Sequence, residues 1–248
     1  MIDVCVCGCF GKMGKNVCAA VEQAEDMRVV CGIAEKSTDA PFAVYTDVEE
    51  ALSREHIDVF VDFTLPRSVE STLRKVLPQG IDCVVGTTGL SNETLEELAA
   101  LAPEGTCLFY APNFTTGAVL MMQFSKIAAA YFPQAEVIEF HHAGKVDAPS
   151  GTAKLTAQLI SENRPAMDRP SADAEARGTE IAGVPVHSIR SDGFVAKQEV
   201  IFGSPGQNLT ITHDSWDRSS YMPGVLLGIR SVAEHSGLIV GLENFMEA

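Results

Sequence analysis

Along the first 110 residues, short runs that are apolar throughout alternate with stretches in which apolar residues recur at helical spacing. Residues 4–7, 29–33, 59–63, 83–85 and 108–110 are such runs and predict buried strands. Residues 13–24, 48–54, 67–77 and 92–101 carry the helical pattern between them. Strands alternating with helices predict βαβ units and a parallel sheet. Continuous rather than alternating apolarity fits a sheet covered on both faces.

The pattern changes after residue 113. Residues 116–131 predict a long helix, 136–141 a strand, and 150–163 a helix after a loop. Residues 164–178 are rich in Pro, Ala, Asp and Arg and predict an exposed loop to which no function is assigned. Residues 184–190, 194–202 and 208–215 predict strands, the last two joined at Ser204-Pro205-Gly206-Gln207. Such consecutive strands predict an antiparallel sheet and an α+β domain. Residues 222–235 predict a final helix, and residues 238–242 form a short apolar end.

Composition narrows the possible partners. The net charge is −15 and no run of four Lys or Arg offsets it, so neither nucleic acid nor an anionic membrane is expected. The apolar stretches fall far short of the roughly 20 residues that span a bilayer. Asp3 stands where a signal peptide would be basic, which fits a cytoplasmic protein. Seven cysteines, Cys5, Cys7, Cys9, Cys18, Cys31, Cys83 and Cys107, all lie in the first half. An odd number confined to one half predicts free thiols in a reducing compartment. Cys5, Cys7 and Cys9 suggest metal ligands, but no second pair completes a site, so no metal is expected.

The first run leads into Gly8-Cys9-Phe10-Gly11-Lys12-Met13-Gly14 and then a helix. This G-x-x-G-x-x-G is a variant of the dinucleotide fingerprint. Glycines let the backbone turn tightly and approach a pyrophosphate, whose charge then sits on a helix N-terminus. Gly8, Gly11, Lys12, Met13 and Gly14 are accordingly candidate cofactor residues. Glu35 ends the second run 21 residues past Gly14, where an acidic side chain binds the adenosine ribose. Lys36 beside it can pair with a 2′-phosphate, although a solvated charge pair is the plainer alternative. Asp62-Phe63-Thr64, Gly86-Thr87-Thr88-Gly89 and Ala111-Pro112-Asn113-Phe114 end three further strands. Ligands bind at such carboxyl ends in open α/β sheets, and small or hydroxyl residues there can approach a nicotinamide and its ribose. Each of the three, taken singly, also fits an ordinary βα turn.

Residues 139–153 read Glu-Phe-His-His-Ala-Gly-Lys-Val-Asp-Ala-Pro-Ser-Gly-Thr-Ala. His141 and His142 invite a zinc reading, but neighbours on a strand point to opposite faces. The segment fits a site for an acidic substrate better. Lys145 supplies positive charge, and Ser150, Gly151 and Thr152 offer hydroxyls and backbone N–H groups at a helix start, which suits a carboxylate. A histidine there can give a proton near neutral pH.

This E-x-H-H-x-x-K-x-D-A-P-S-G-T-A segment resembles the signature of the 4-hydroxy-tetrahydrodipicolinate reductase (dihydrodipicolinate reductase) family. The glycine loop with Met13, Asp62-Phe63-Thr64, Gly86-Thr87-Thr88-Gly89, Pro112-Asn113-Phe114 and Ile211-Thr212-His213 followed by Arg218 fall in that family's order. The resemblance covers essentially the whole chain. It implies an α/β Rossmann-like dinucleotide-binding domain, residues 1–112 and 219–248, that takes back the C-terminal helix and end. It also implies an α+β substrate-binding and oligomerisation domain, residues 113–218, assembling a homotetramer through its sheet. The implied activity is reduction of a cyclic imine dicarboxylate with NADH or NADPH in lysine and diaminopimelate synthesis. By the same match His141 is the proton donor, and Lys145 and His142 bind and polarise the substrate. Ser150, Gly151 and Thr152 hold a carboxylate, while Gly86 and Thr88 touch the nicotinamide. One departure is Gln198, where many members have His. A different reductase on the same fold, a non-catalytic dinucleotide sensor and a metal-dependent hydrolase are the competing readings.

Overall fold

The apolar runs of the first half join one parallel sheet. The computed structural model describes residues 1–36, 39–165 and 174–246. It divides into two units, Met1–Thr115 with Tyr221–Ala248, and Thr116–Ser220. The family resemblance implied junctions at residues 112 and 218.

In the first unit β1 (Ile2–Cys7), α1 (Gly14–Gln23), β2 (Met27–Ile33), β3 (Ala43–Tyr45), α2 (Val48–Arg54), β4 (Val59–Asp62), α3 (Pro66–Val76), β5 (Asp82–Val85), α4 (Asn92–Ala99) and β6 (Cys107–Tyr110) follow in order. Local chemistry starts the helices. Asp47 caps α2 by accepting from Glu49 N at 2.9 Å, Ser91 caps α4 by accepting from Thr94 N at 3.1 Å, and Pro66 opens α3. All four residues of β6 are buried, as its unbroken apolarity requires, and so are all four of β4, whose apolar run ends in a buried Asp62. Phe60, Leu73, Leu95, Leu98 and Leu108 fill the core, each contributing about 1.5–3 kcal/mol by leaving water. The seven cysteines are free and buried within this unit. Burial is the first cause that pushes the Cys18 and Cys107 thiols up to about 12.

In the second unit come α5 (Thr116–Ala129), β7 (Gln134–His141), α6 (Gly151–Asn163), β8 (Thr179–Ile181), β9 (Val184–Arg190), β10 (Ala196–Ser204) and β11 (Gln207–Ser215). Its sheet has the order β11-β10-β7-β9-β8. This sheet is mixed rather than antiparallel, because β7 and β9 run parallel while their neighbours pair antiparallel. The cause is α6: a helix between two neighbouring strands makes a crossover, which returns the chain in the same direction. Burial alternates along β7 and β10, with Ala135, Val137, Glu139, Gln198, Val200 and Phe202 turned inward. Pro205 and Gly206 (φ +82°) close the β10–β11 hairpin. Residues 166–173 of the expected loop lie outside the described residues; Ala174–Arg177 is a 3₁₀ turn and β8 follows.

The chain then returns to the first unit. The final helical pattern is α7 (Met222–Ser231) tightening into a 3₁₀ turn, Val232–Glu234. The apolar end is a strand, β12 (Gly237–Val240), parallel to β6. The first sheet therefore reads β12-β6-β5-β4-β1-β2-β3. Among the described residues no helix is long and apolar enough to cross a membrane.

Candidate active site

The first sheet switches direction at its centre. From β1 the chain winds outward through β2 and β3, and β4 then pairs on the other side of β1. A crevice opens at the carboxyl ends of strands at such a switch, the usual dinucleotide position in doubly wound sheets. The loops after β1 and β4 flank it: a Cβ on Gly8 would lie 3.1 Å from Thr64 Cγ2.

The glycine loop fits a pyrophosphate by its own geometry. Gly8 has φ +78°, a backbone that side chains resist. Gly11 N donates to Gly8 O at 2.8 Å, tightening the turn. A Cβ on Gly14 would stand 2.1 Å from Gly8 O, so only glycine lets α1 begin so close to the loop. Met13 precedes α1, whose first turn leaves N–H groups without helical partners. Lys12 is exposed beside it. Glu35 and Lys36 follow the end of β2 and are exposed.

The next two loops are tied by a single carboxylate. Asp62 is fully buried, and its Oδ1 accepts from Thr64 N (2.9 Å), Thr64 Oγ1 (2.8 Å) and Thr87 Oγ1 (2.7 Å). The Thr87 hydroxyl is thereby committed to the loop, while Thr88 is exposed. A Cβ on Gly86 would run into the Phe63 ring at 2.0 Å, which explains glycine there. Phe63 in turn packs on Phe114 at 5.3 Å, and Phe114 on Phe109 at 5.6 Å. The Phe114 side chain thus belongs to the core, with Pro112 exposed and Asn113 accepting from Thr115 N at 2.8 Å. Asp62 as the organiser was missed, although Asp two residues before Thr is a legible turn signal.

The second unit gathers the other candidates. His141 ends β7, and its Nδ1 is bonded to Glu139 Oε2. Glu139 and His141 are two apart on a strand and share a face. Arg190 ends the adjacent β9 and forks onto Glu139, Nη1 to Oε2 at 3.1 Å and Nη2 to Oε1 at 2.8 Å. Burial opposes the Glu139 charge, but hydrogen bonds from His141, Arg190 and Ser188 overcome it and bring its carboxyl down to about 2. Arg190 also donates to Lys145 O (3.3 Å) and Asp147 O (2.7 Å), fixing the loop after β7. Lys145 Nζ lies 2.8 Å from Asp147 Oδ1 and holds that carboxyl below the usual range. Ser150 caps α6 by accepting from Ala153 N at 3.3 Å, and its own N–H points to Glu139 Oε1 at 3.4 Å. Gly151 and Thr152 form the first turn of α6, and His142 is exposed.

His141, Lys145 and the start of α6 are thus joined through Glu139 and Arg190. Sequence reasoning named the first group and gave no role to the other two. Gln198 is buried opposite Glu139 on β10 and donates to Thr156 Oγ1 of α6 at 2.8 Å. The three-ligand group found among the described residues is Asp3, His56 and Asp58; neither His141 nor His142 belongs to it.

A Rossmann-like dinucleotide unit joined in one chain to a mixed-sheet unit bearing a cationic, proton-bearing cluster defines a nicotinamide-type oxidoreductase. Family models described as Dihydrodipicolinate reductase, N-terminus and Dihydrodipicolinate reductase, C-terminus match residues 2–114 and 117–246. A protein of Mycolicibacterium smegmatis named 4-hydroxy-tetrahydrodipicolinate reductase is 45% identical over 98% of this chain and 98% of its own. One of the same name from Streptomyces coelicolor is 46% identical over 99% of this chain and 98% of its own. The structure of a dipicolinate-bound dihydrodipicolinate reductase from Paenisporosarcina sp. TG-14 superposes with a TM-score of 0.91 at 38% identity, covering 99% of this chain and 100% of that one. The chain belongs to the dihydrodipicolinate reductase family.

Proposed function

We propose that this protein reduces 4-hydroxy-tetrahydrodipicolinate to tetrahydrodipicolinate with NADH or NADPH, in lysine and diaminopimelate synthesis in the cytoplasm. The observation that carries this reading is the cluster of His141, Lys145 and the α6 N-terminus, in a chain that follows the family from end to end.

Replacing the substrate hydroxyl by hydrogen consumes one hydride and one proton and releases water. The nicotinamide, held by Gly8, Gly11, Lys12, Met13 and Gly14 with Glu35 and Lys36 at the ribose, supplies the hydride when bound. Gly86, Thr87, Thr88, Pro112, Asn113 and Phe114 frame its nicotinamide end. Loss of the hydroxyl and of a proton from the neighbouring carbon as water leaves a C=C conjugated with C=N, and hydride addition to its far carbon then moves negative charge toward the ring nitrogen and the adjoining carbon. Lys145 offsets that charge and His141 delivers the proton to the enamine carbon. Ser150, Gly151 and Thr152 receive a substrate carboxylate at the helix start, with His142 beside them. The second unit assembles the homotetramer through its sheet.

The test is an assay of NADH oxidation with freshly made 4-hydroxy-tetrahydrodipicolinate. Substrate-dependent oxidation is expected; NADH binding without turnover is the behaviour of a sensor and overturns the reading. Because Glu35 accepts ribose hydroxyls, NADH should serve at least as well as NADPH. A preference for NADPH above about tenfold, roughly 1.4 kcal/mol, contradicts that role of Glu35.

A further inference from the structure

We propose that the buried Glu139–Arg190 pair is the positioning device of this site. Glu139 fixes His141 as the Nδ1–H tautomer, leaving Nε2 to carry the proton that moves. Arg190 fastens the Lys145 loop and cancels the Glu139 charge behind the start of α6. The proposal rests on the roles given above to His141 and Lys145.

A carboxylate only accepts hydrogen bonds, so the Nδ1 that meets Glu139 must be a donor. Only Nε2 is then left to exchange its proton with a ligand. Glu139 is fully buried, and a buried charge persists only when paired and hydrogen-bonded. Its oxygens receive two Arg190 contacts, His141 and Ser150 N. The five N–H groups of Arg190 are equally committed. Nε takes Lys145 O; Nη1 takes Glu139 Oε2 and Ile189 O at 2.8 Å; Nη2 takes Glu139 Oε1 and Asp147 O. A guanidinium with every donor used internally holds structure and is not itself a substrate ligand. Its charge matters all the same. Without it, Glu139 would face the N-terminus of α6 as an unbalanced anion and repel an incoming carboxylate.

The pair therefore makes different demands on its two members. In Glu139→Gln one oxygen becomes an NH₂ group. Oε1 accepts from both Arg190 Nη2 and Ser150 N, whereas Oε2 accepts from Arg190 Nη1, which also has Ile189 O. The amide nitrogen therefore takes the Oε2 place at the loss of that one Nη1 contact and turns to His141, whose Nδ1 must then accept. The neutral ring inverts to the Nε2–H tautomer. Arg190→Lys keeps the charge but loses the fork and the two loop carbonyls.

The experiment is ¹⁵N NMR of labelled histidine, at a pH where the ring is neutral, beside steady-state kinetics and titration with NADH and dipicolinate. In the wild type, His141 should be protonated at Nδ1; an Nε2–H tautomer overturns the proposal without recourse to any variant. Glu139→Gln should invert the tautomer and lower kcat by about 10²-fold or more, with NADH affinity within a few-fold. Arg190→Lys should weaken dipicolinate binding and raise KM by about tenfold, with a smaller change in kcat. Variants that lose only thermal stability, with unchanged tautomer and unchanged kcat in the folded fraction, overturn it. Wild-type turnover by His141→Ala would refute the acid role itself, and the tautomer measurement stands apart from that result.

Discussion

At the scale of single residues, the proposed mechanism assigns the chemistry to His141 and Lys145, which should then matter for turnover without mattering for cofactor binding. His141→Ala removes the proton donor, a role worth roughly 10²–10⁴-fold in rate. Lys145→Ala should lower turnover and weaken substrate binding together. Both lie in the second unit, whereas the glycine loop lies in the first, so NADH affinity should stay within a few-fold of wild type. Kinetics beside NADH titration checks this; a folded His141→Ala enzyme with wild-type turnover contradicts it. Glu139 adds a pH signature. Its carboxyl falls from 4.5 to about 2 on folding. A depressed carboxyl stabilises fully above its unfolded value, and that stabilisation drains away as pH falls through the folded one. Wild type should therefore lose about 3 kcal/mol between pH ~5 and pH ~2 that Glu139→Gln does not lose. Denaturant melts of both across that range measure it, and parallel pH profiles would contradict it. The triad of Glu139, His141 and Arg190 was only half legible. Glu139 and His141 share a strand face by parity, but Arg190 enters from a strand 51 residues away, and no local pattern marks it.

At the scale of elements, continuous apolar runs located β1, β2, β4, β5 and β6 because burial on both faces leaves one chemical signature. The strand β3 escaped, since three partly exposed residues show no period. The direction of β9 escaped for another reason: neighbouring strands 184–190, 194–202 and 208–215 read as a meander, yet β9 pairs back across α6 onto β7. The glycine loop was legible from its spacing, and the structure supplies the steric reason. Gly14→Ala would force a Cβ against Gly8 O at 2.1 Å, whereas Gly11→Ala meets it at 3.1 Å. Gly14→Ala should cost about 1–3 kcal/mol in stability and most of the NADH affinity, and Gly11→Ala distinctly less. Thermal melts and NADH titration decide, and equal effects at the two positions would contradict the packing argument.

At the scale of the whole molecule, two units divide the labour proposed for the chain: one grips a dinucleotide and the other a dicarboxylate. The sheet of the second unit ends on β11, eight of whose nine residues are at least partly exposed, and Leu209 and Trp216 stand out in solvent in the protomer. An edge so open is suited to assembly. Light scattering at micromolar concentration should report a tetramer, and a monomer would contradict the proposed assembly. Hydride delivery to the substrate ring is read out by isotope transfer. NADH carrying deuterium at both positions of the hydride-donating carbon is mixed with 4-hydroxy-tetrahydrodipicolinate, and the product is weighed by mass spectrometry. Tetrahydrodipicolinate carrying one deuterium for each NADH oxidised is expected. Product without the label, or NADH retained unoxidised beside intact substrate, would contradict it.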